Sequence, residues 1–340
     1  MGRRILTIAC GRFVSASLVK PTVMDSVLYW VARATIGFLQ LWPLAWVARF
    51  GCLCGTVAYY LDSRHRRVAI ANLSQCFGAT LSPEAIRAIA LKNFQRLGEN
   101  YASAIKTSGM TDAELEPHLA WAGLEPILEL AAASGTRPGS SARPKSCVFA
   151  IGHFGNFELY ARPPRTVVNC RTAATYRGLR QPSLDRLMLS LRNRSGCLYF
   201  ERRKDAEALK QAMSSGGIFL GLLADQHAGD SGLWLPFLGT DCSTSAAPAV
   251  MAQRYGCPLY PAICYRIGMA KWRVEIGTEI QTVTREGGRR PPAEVMREVN
   301  GAFERAIRRD PANWFWVHKR WKAPKPGQSK KPATAHVVPE

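Results

Sequence analysis

CVFAIGHFGNFELYA, residues 147–161, reads as a strand that stops at a glycine and delivers a histidine. Cys147–Ile151 is a short apolar run rich in β-formers, the signature of a buried strand. Gly152 and Gly155 punctuate the turn that follows, and GNFELYAR resumes as a short helix. A turn of this kind exposes side chains at the carboxyl edge of a sheet and aims helix N–H groups at the same spot. His153 comes just after the strand, and Glu158 lies on the first turns of the helix. A neutral imidazole placed there takes a proton from a hydroxyl. A carboxylate on its far nitrogen fixes the tautomer and stabilises the imidazolium. Neither Ser nor Cys occurs between Gly152 and Ala161, so the base would serve a substrate hydroxyl, not an enzyme nucleophile.

Outward from this motif the pattern alternates. Val167–Tyr176, Gly217–Asp225, Pro258–Arg266 and Trp272–Gly277 read as strands. Ser183–Ser195, Lys204–Ser214, Thr244–Gly256 and Ala293–Arg309 read as helices. Strands alternating with helices predict an α/β fold over 146–322, a mostly parallel central sheet flanked by helices. An apolar helical region precedes it. Residues 26–135 read as helical throughout, with Ser82 as N-cap, Pro83 at the first helical position and Ile86, Ile89, Ala90, Phe94, Leu97 and Tyr101 at helical spacing. Within that region Ser26–Ala48 carries Arg33 as its only charge and is long enough to span a bilayer, although Pro43 interrupts it. A second apolar run, Phe50–Leu61, ends at the cations Arg64, Arg66 and Arg67. A single span and a helical hairpin lying in the interface both fit, and membrane association is expected. The remaining segments are an N-terminal extension (1–25), a Gly/Ser/Pro loop (134–145) and a tail (323–340) expected to be disordered. The apolar run after Arg3 and Arg4 is too short for a signal peptide.

Charge narrows the partners. The chain of 340 residues holds 45 Lys+Arg against 25 Asp+Glu, a net charge of +20, which calls for a polyanionic partner. Residues 162–210 alone hold twelve Lys/Arg and four acids, so the excess lies beside the motif. No helix-turn-helix, zinc-finger or aromatic RNA-binding signature is present, which argues against nucleic acid. The ten cysteines include no C-x-x-C and no zinc-ligand spacing, and there is no phosphate-binding G-x-x-x-x-G-K-[ST] loop. Buried reduced thiols, no metal and no cofactor are therefore expected.

Farther blocks make the pattern specific: GHFGNFEL (152–159), TYRGLRQPSLDRL (175–187), RRKDAEALKQAMSSGGIFLGLLADQ (202–226), LPFLGTDCSTSAAPAVMAQRYGCPLYP (235–261) and DPANWFWVHKRWK (310–322). In this order they resemble the late acyltransferases of lipid A biosynthesis, the lauroyl/myristoyl transferases of the H-x-x-x-x-D/E lysophospholipid acyltransferase superfamily. The resemblance runs from about residue 24 to 322 and includes NLSQCF, residues 72–77. It implies transfer of a fatty acyl chain from acyl carrier protein to a hydroxyl of an anionic glycolipid, a lipid A precursor, at the cytoplasmic face of the inner membrane. His153 would be the general base and Glu158 its partner. Arg177 and Arg203, which fall in matching blocks, would bind a phosphate or the thioester oxygen. Asp225 stands where the family often has Asp-x-Asp, and would orient a basic residue or a substrate hydroxyl. Here the run is Asp225-Gln226-His227, a departure that bears on the acceptor more than on the reaction class. The cluster Trp314, Phe315, Trp316 and Trp321, with Lys319, Arg320 and Lys322, either sits at the headgroup level or packs against the last helix. The alternatives are a superfamily acyltransferase acting on another lipid or glycolipid, and a non-enzymatic basic protein that binds membrane.

Overall fold

A computed structural model describes residues 23–133, 144–164, 166–167 and 170–323. The expected N-terminal extension, the 134–145 loop and the tail lie wholly or largely outside these residues. Four long helices lead: α1 (Val23–Leu41), α2 (Leu44–Leu61), α3 (Ser63–Phe77) and α4 (Pro83–Thr107), followed by the single turn α5 (Asp112–Leu115). Local chemistry sets their limits. The long apolar run is two helices, not one span, because proline cannot continue a helix: α1 ends at Leu41 and Pro43 is the N-cap of α2. The Asp62 side chain accepts from the His65 N–H to start α3, and Ser82 accepts from the Ala85 N–H to start α4.

The helical region is not helical throughout. Leu119–Ala122 is a strand, β1, followed by α6 (Glu125–Ala133). Four residues show no period that would separate them from a helix, and only pairing with a distant strand makes β1. The core then runs β2 (Cys147–Ile151), β3 (Arg171–Tyr176), α7 (Pro182–Arg192), β4 (Leu198–Glu201), α8 (Ala206–Ser215), β5 (Ile218–Leu223), a hairpin β6 (Leu233–Phe237) and β7 (Thr240–Thr244), α9 (Ala247–Tyr255), β8 (Leu259–Gly268), β9 (Lys271–Ile276) and α10 (Pro292–Arg309). The main sheet has seven strands in the order β1-β9-β8-β2-β5-β3-β4, parallel at every pair except β8–β9. This is the expected mostly parallel α/β fold.

The two faces of the sheet differ. Val148, Ala150, Leu220 and Leu222 point into the main core with Phe303 of α10 and with Leu73, Phe77 and Phe94 of α3 and α4, so the helical region shares one core with the sheet. The alternate residues, Phe149, Ile151, Phe219, Gly221 and Leu223, line a cavity. The described cysteines are free thiols; Cys147, Cys242 and Cys264 are fully buried, whereas Cys52, Cys76 and Cys170 are half-buried and Cys54 is exposed, so not all are the buried thiols expected.

Helix α2 meets α4 at backbone contact. A Cβ on Gly51 would overlap the Gly98 carbonyl, and one on Gly55 would overlap the carbonyl of Phe94. The opposite face of α2 is bare: Trp46, Phe50, Leu53, Val57 and Leu61 are exposed. Among the described residues α2 is the helix long and apolar enough to cross a membrane, with a mean hydropathy of 1.3. Gly55→Ala should destabilise the protein by about 1–3 kcal/mol, the usual cost of overpacking. Thermal melting checks this, with Gly37→Ala as control because that position has open space around it.

Candidate active site

Strand register brings the site together. β2 and β5 are parallel neighbours, with Ile151 opposite Leu223. His153 and Asp225 lie at equal distances beyond that pair, so they face each other across the sheet edge. Asp225 Oδ1 lies 2.8 Å from His153 Nδ1, and Oδ2 accepts the His153 backbone N–H at 2.8 Å. The Trp314 indole Nε1 donates to the same Oδ2 at 2.8 Å. Burial alone would raise the Asp225 carboxyl. The facing imidazole and these donors outweigh it and hold the group below the usual carboxylate range. An ionised carboxylate only accepts, so Nδ1 turns a proton toward it; in the neutral ring the lone pair is then on Nε2, which lies 3.4 Å from the Gln226 side-chain amide nitrogen.

Glu158 does not touch the imidazole. Between the two residues the backbone passes through Gly155 at φ +51° and a short 3-10 turn, Phe157–Ala161, which turns position 158 toward α7. There Arg192 clamps the Glu158 carboxylate, Nε at 3.2 and 3.0 Å from its two oxygens and Nη2 at 2.5 Å from Oε1. The carboxylate on the far nitrogen of His153 is not Glu158 but Asp225, the residue for which the resemblance implies orientation of a basic residue or a substrate hydroxyl. Phe157 and Phe315 pack against the ring, at centroid distances of 4.9 and 5.6 Å.

Two cavities share His153, Phe157, Glu158, Arg192 and Tyr199 as walls. The larger, of about 580 Å³, extends along the sheet face from His153 to Ile127 and Val274, and its floor at Gly221 has no side chain. The smaller, of about 220 Å³, lies between α4 and α7 and is lined by Leu97, Tyr101, Ile105, Met188 and Leu191. Arg177 is exposed and reaches the wall of the larger cavity. Its loop is held just after it by two adjacent backbone donors: the Gly178 N–H donates to Glu201 and the Leu179 N–H to Asp185. Arg203 is exposed and does not line the cavity; its neighbour Arg202 does. Sequence reasoning missed Arg192, and no local signal marks it among many surface arginines. Among the described residues no cluster of three or more His, Cys, Asp or Glu is placed to hold a metal ion.

The C-terminal segment closes the site from behind. Trp314 and Trp316 are fully buried, so the headgroup placement is excluded for them. Arg320, also buried, donates to the carbonyls of Gln226 and Ser243 and to Thr244 Oγ1. His318 Nε2 accepts the His227 backbone N–H at 3.0 Å and lines the larger cavity.

With fold and geometry in view, the class of protein follows. Residues 20–323 match the bacterial lipid A biosynthesis acyltransferases, and the chain belongs to that family. Among curated proteins it is similar to the lipid A biosynthesis lauroyltransferase of Escherichia coli K12, 23% identical over 303 residues that cover 86% of this chain and 92% of the relative.

The His318 ring sets a pH dependence. Burial, which disfavours the charged ring, lowers it from 6.5 to about 4. The unfolded chain therefore binds the proton first, and stability present above pH 6.5 is lost progressively down to about pH 4. His318→Gln should flatten the fall in urea midpoint between those limits relative to the parent; an unchanged slope would show that His318 does not contribute.

Proposed function

We propose that this transferase moves a fatty acyl chain from the thioester of acyl carrier protein to a hydroxyl of a lipid A precursor. The single observation that carries the mechanism is the 2.8 Å contact of His153 Nδ1 with a buried carboxylate, which turns Nε2, with the Gln226 amide 3.4 Å away, toward an apolar cavity as the base. Nε2 takes the proton of the acceptor hydroxyl as its oxygen attacks the thioester carbonyl. The C–O bond forms and the C–S bond breaks. The imidazolium, stabilised by Asp225, returns the proton to the departing thiolate. The acyl chain lies along the sheet face. Glu158 and Arg192, on the wall common to both cavities, position the reacting ends. Arg177 and Arg202 at the cavity wall meet the phosphates of the glycolipid or the carrier arm.

His153→Ala should lower the turnover of the folded protein by about 10²–10⁴, with a lowered melting point because Asp225 loses one of its buried partners. Asp225→Asn should approach 10⁴, because an amide can hold the wrong tautomer. Glu158→Gln should cost less than Asp225→Asn, since it leaves the imidazole's partner in place. Steady-state kinetics with melting controls decide; a folded His153→Ala variant with normal turnover would sink the assignment.

The donor reading rests on charge as well as on the family. Arg177, Arg180, Arg202, Arg203 and Lys204 are exposed, and their side chains make no ion pair within 4 Å among the described residues. An acidic carrier docked there would bind through exposed charges, which salt screens, the Debye length falling from about 10 Å at 0.1 M to about 3 Å at 1 M. Charge reversal at Arg202 and Lys204 should raise KM for the acylated carrier more than it lowers kcat, as expected for uniform binding. If acyl-CoA is the better donor and its rate ignores salt, the carrier is not the substrate. The reaction would run at the cytoplasmic face of the inner membrane, where carrier and lipid meet.

A further inference from the structure

We infer that α1 and α2 lie flat in the headgroup region of one anionic leaflet and that neither crosses the bilayer. The first observation is that both helices are fixed to the catalytic body along their length. Helix α2 buries Leu44, Val47, Ala48, Gly51, Gly55 and Tyr59 on one side. Its start packs with Ala270 and Trp272, its middle sits on Gly98, and Tyr59 at its end packs on Phe94 at 5.5 Å. Helix α1 is held at its carboxyl end, where Lys106 Nζ donates to the Gln40 carbonyl at 2.7 Å. Near its start, Tyr29 and Arg33 share a notch with Ser183 and Arg186 of α7.

A span is incompatible with these partners. To cross the bilayer, α2 would draw α4 with it, and α4 carries Arg87, Lys92, Arg96, Glu99 and Lys106. Charges at that depth are costly. The side of the two helices away from the body is apolar and bare: Val27, Trp30, Val31, Phe38, Trp46 and Leu53 are exposed.

The second observation names the occupant. Arg33, Arg49, Arg64 and Arg67, on α1, α2 and α3, are exposed and make no ion pair with the described residues. Apolar side chains bordered by cations without an ion pair, Arg49 lying over the Trp46 ring at 5.4 Å, match the acyl–headgroup boundary of anionic lipid. A second copy is disfavoured, because it would bring two chains of net charge +20 together. Helix α1 also rests on α4 and α7, whose exposed Tyr101 and Met188 border the smaller cavity at His153. The seating stands independently of the catalytic reading.

The test uses the full-length chain in a Gram-negative host. Asp25→Cys, Trp42→Cys and Ser63→Cys are made singly in a Cys54→Ser parent, since Cys54 is the exposed cysteine among the described residues. A membrane-impermeant maleimide is applied to sphaeroplasts, to inverted vesicles and after detergent. Asp25→Cys and Ser63→Cys should react in inverted vesicles, and no position should react from the outer face. Outer-face labelling at Asp25→Cys shows a single span, and at Trp42→Cys a spanning hairpin. Outer-face labelling at Ser63→Cys, or reaction of Asp25→Cys or Ser63→Cys only after detergent, likewise overturns the seating. Flotation of the purified protein with phosphatidylglycerol-containing vesicles gives the second arm. Replacing Arg33, Arg49, Arg64 and Arg67 by Gln should weaken binding roughly fivefold per cation removed, with little change on phosphatidylcholine alone. Unchanged binding, or equal loss on both vesicles, overturns the role of the cations. Acyl transfer is measured separately, so loss of the catalytic reading leaves the labelling pattern to stand or fall alone.

Discussion

The Asp225 carboxylate joins three parts of the chain that are far apart in sequence. It sits at the end of β5, is 1% exposed, and accepts from the backbone and ring of His153 and from the indole of Trp314. Each donor answers part of the cost of burying a charge, and removing one partner of such a group commonly costs about 3–5 kcal/mol. The arrangement fixes the His153 turn at the sheet edge, the imidazole in one tautomer and the C-terminal segment behind it. Site and fold therefore share a constraint.

That constraint extends into the N-terminal helices. Asn93 of α4 donates to the carbonyls of Ala312 and Trp314, and Asn72 of α3 donates to those of Trp316 and His318. The segment they hold pairs with the turn itself, through a bridge between Phe154 and Trp314 and the Gly155 N–H on the Asn313 carbonyl. Helices α3 and α4, against which the apolar α2 packs, thus hold the backbone that supports His153. Buried amides suit this role, because a carbonyl in the core needs a donor and an asparagine offers two.

Charge is divided by surface. The cations of α1, α2 and α3 border an apolar face, whereas Arg177, Arg202 and Lys204 lie around the larger cavity and its loops. Arg162 and Arg192, counted in the same basic stretch, are instead committed to Asp112 and Glu158. A sum over sequence overstates the free charge near the site, because pairing is decided by which carboxylate the fold brings near.

Much was legible from residue patterns. The alternation of strands and helices, the break at Pro43, the start of α4 at Ser82 and the position of His153 beyond a buried strand all follow from local properties: side-chain period, missing N–H groups, capping chemistry. The ordered blocks carried the family. The short strands β1 and β4 and the β6–β7 hairpin escaped, since runs of four or five residues hold too little period to be read. The partner of His153 escaped for a deeper reason. Glu158 is near in sequence, but Gly155 and a 3-10 turn aim it at Arg192. Asp225 is 72 residues away and arrives through the register of β2 on β5. Sequence by itself determined the longer elements and the place of His153 beyond a buried strand, because these depend on neighbours along the chain. Only the tertiary structure decided which carboxylate faces His153 and which tryptophans are buried, because strand register is set by packing between segments that no local pattern relates.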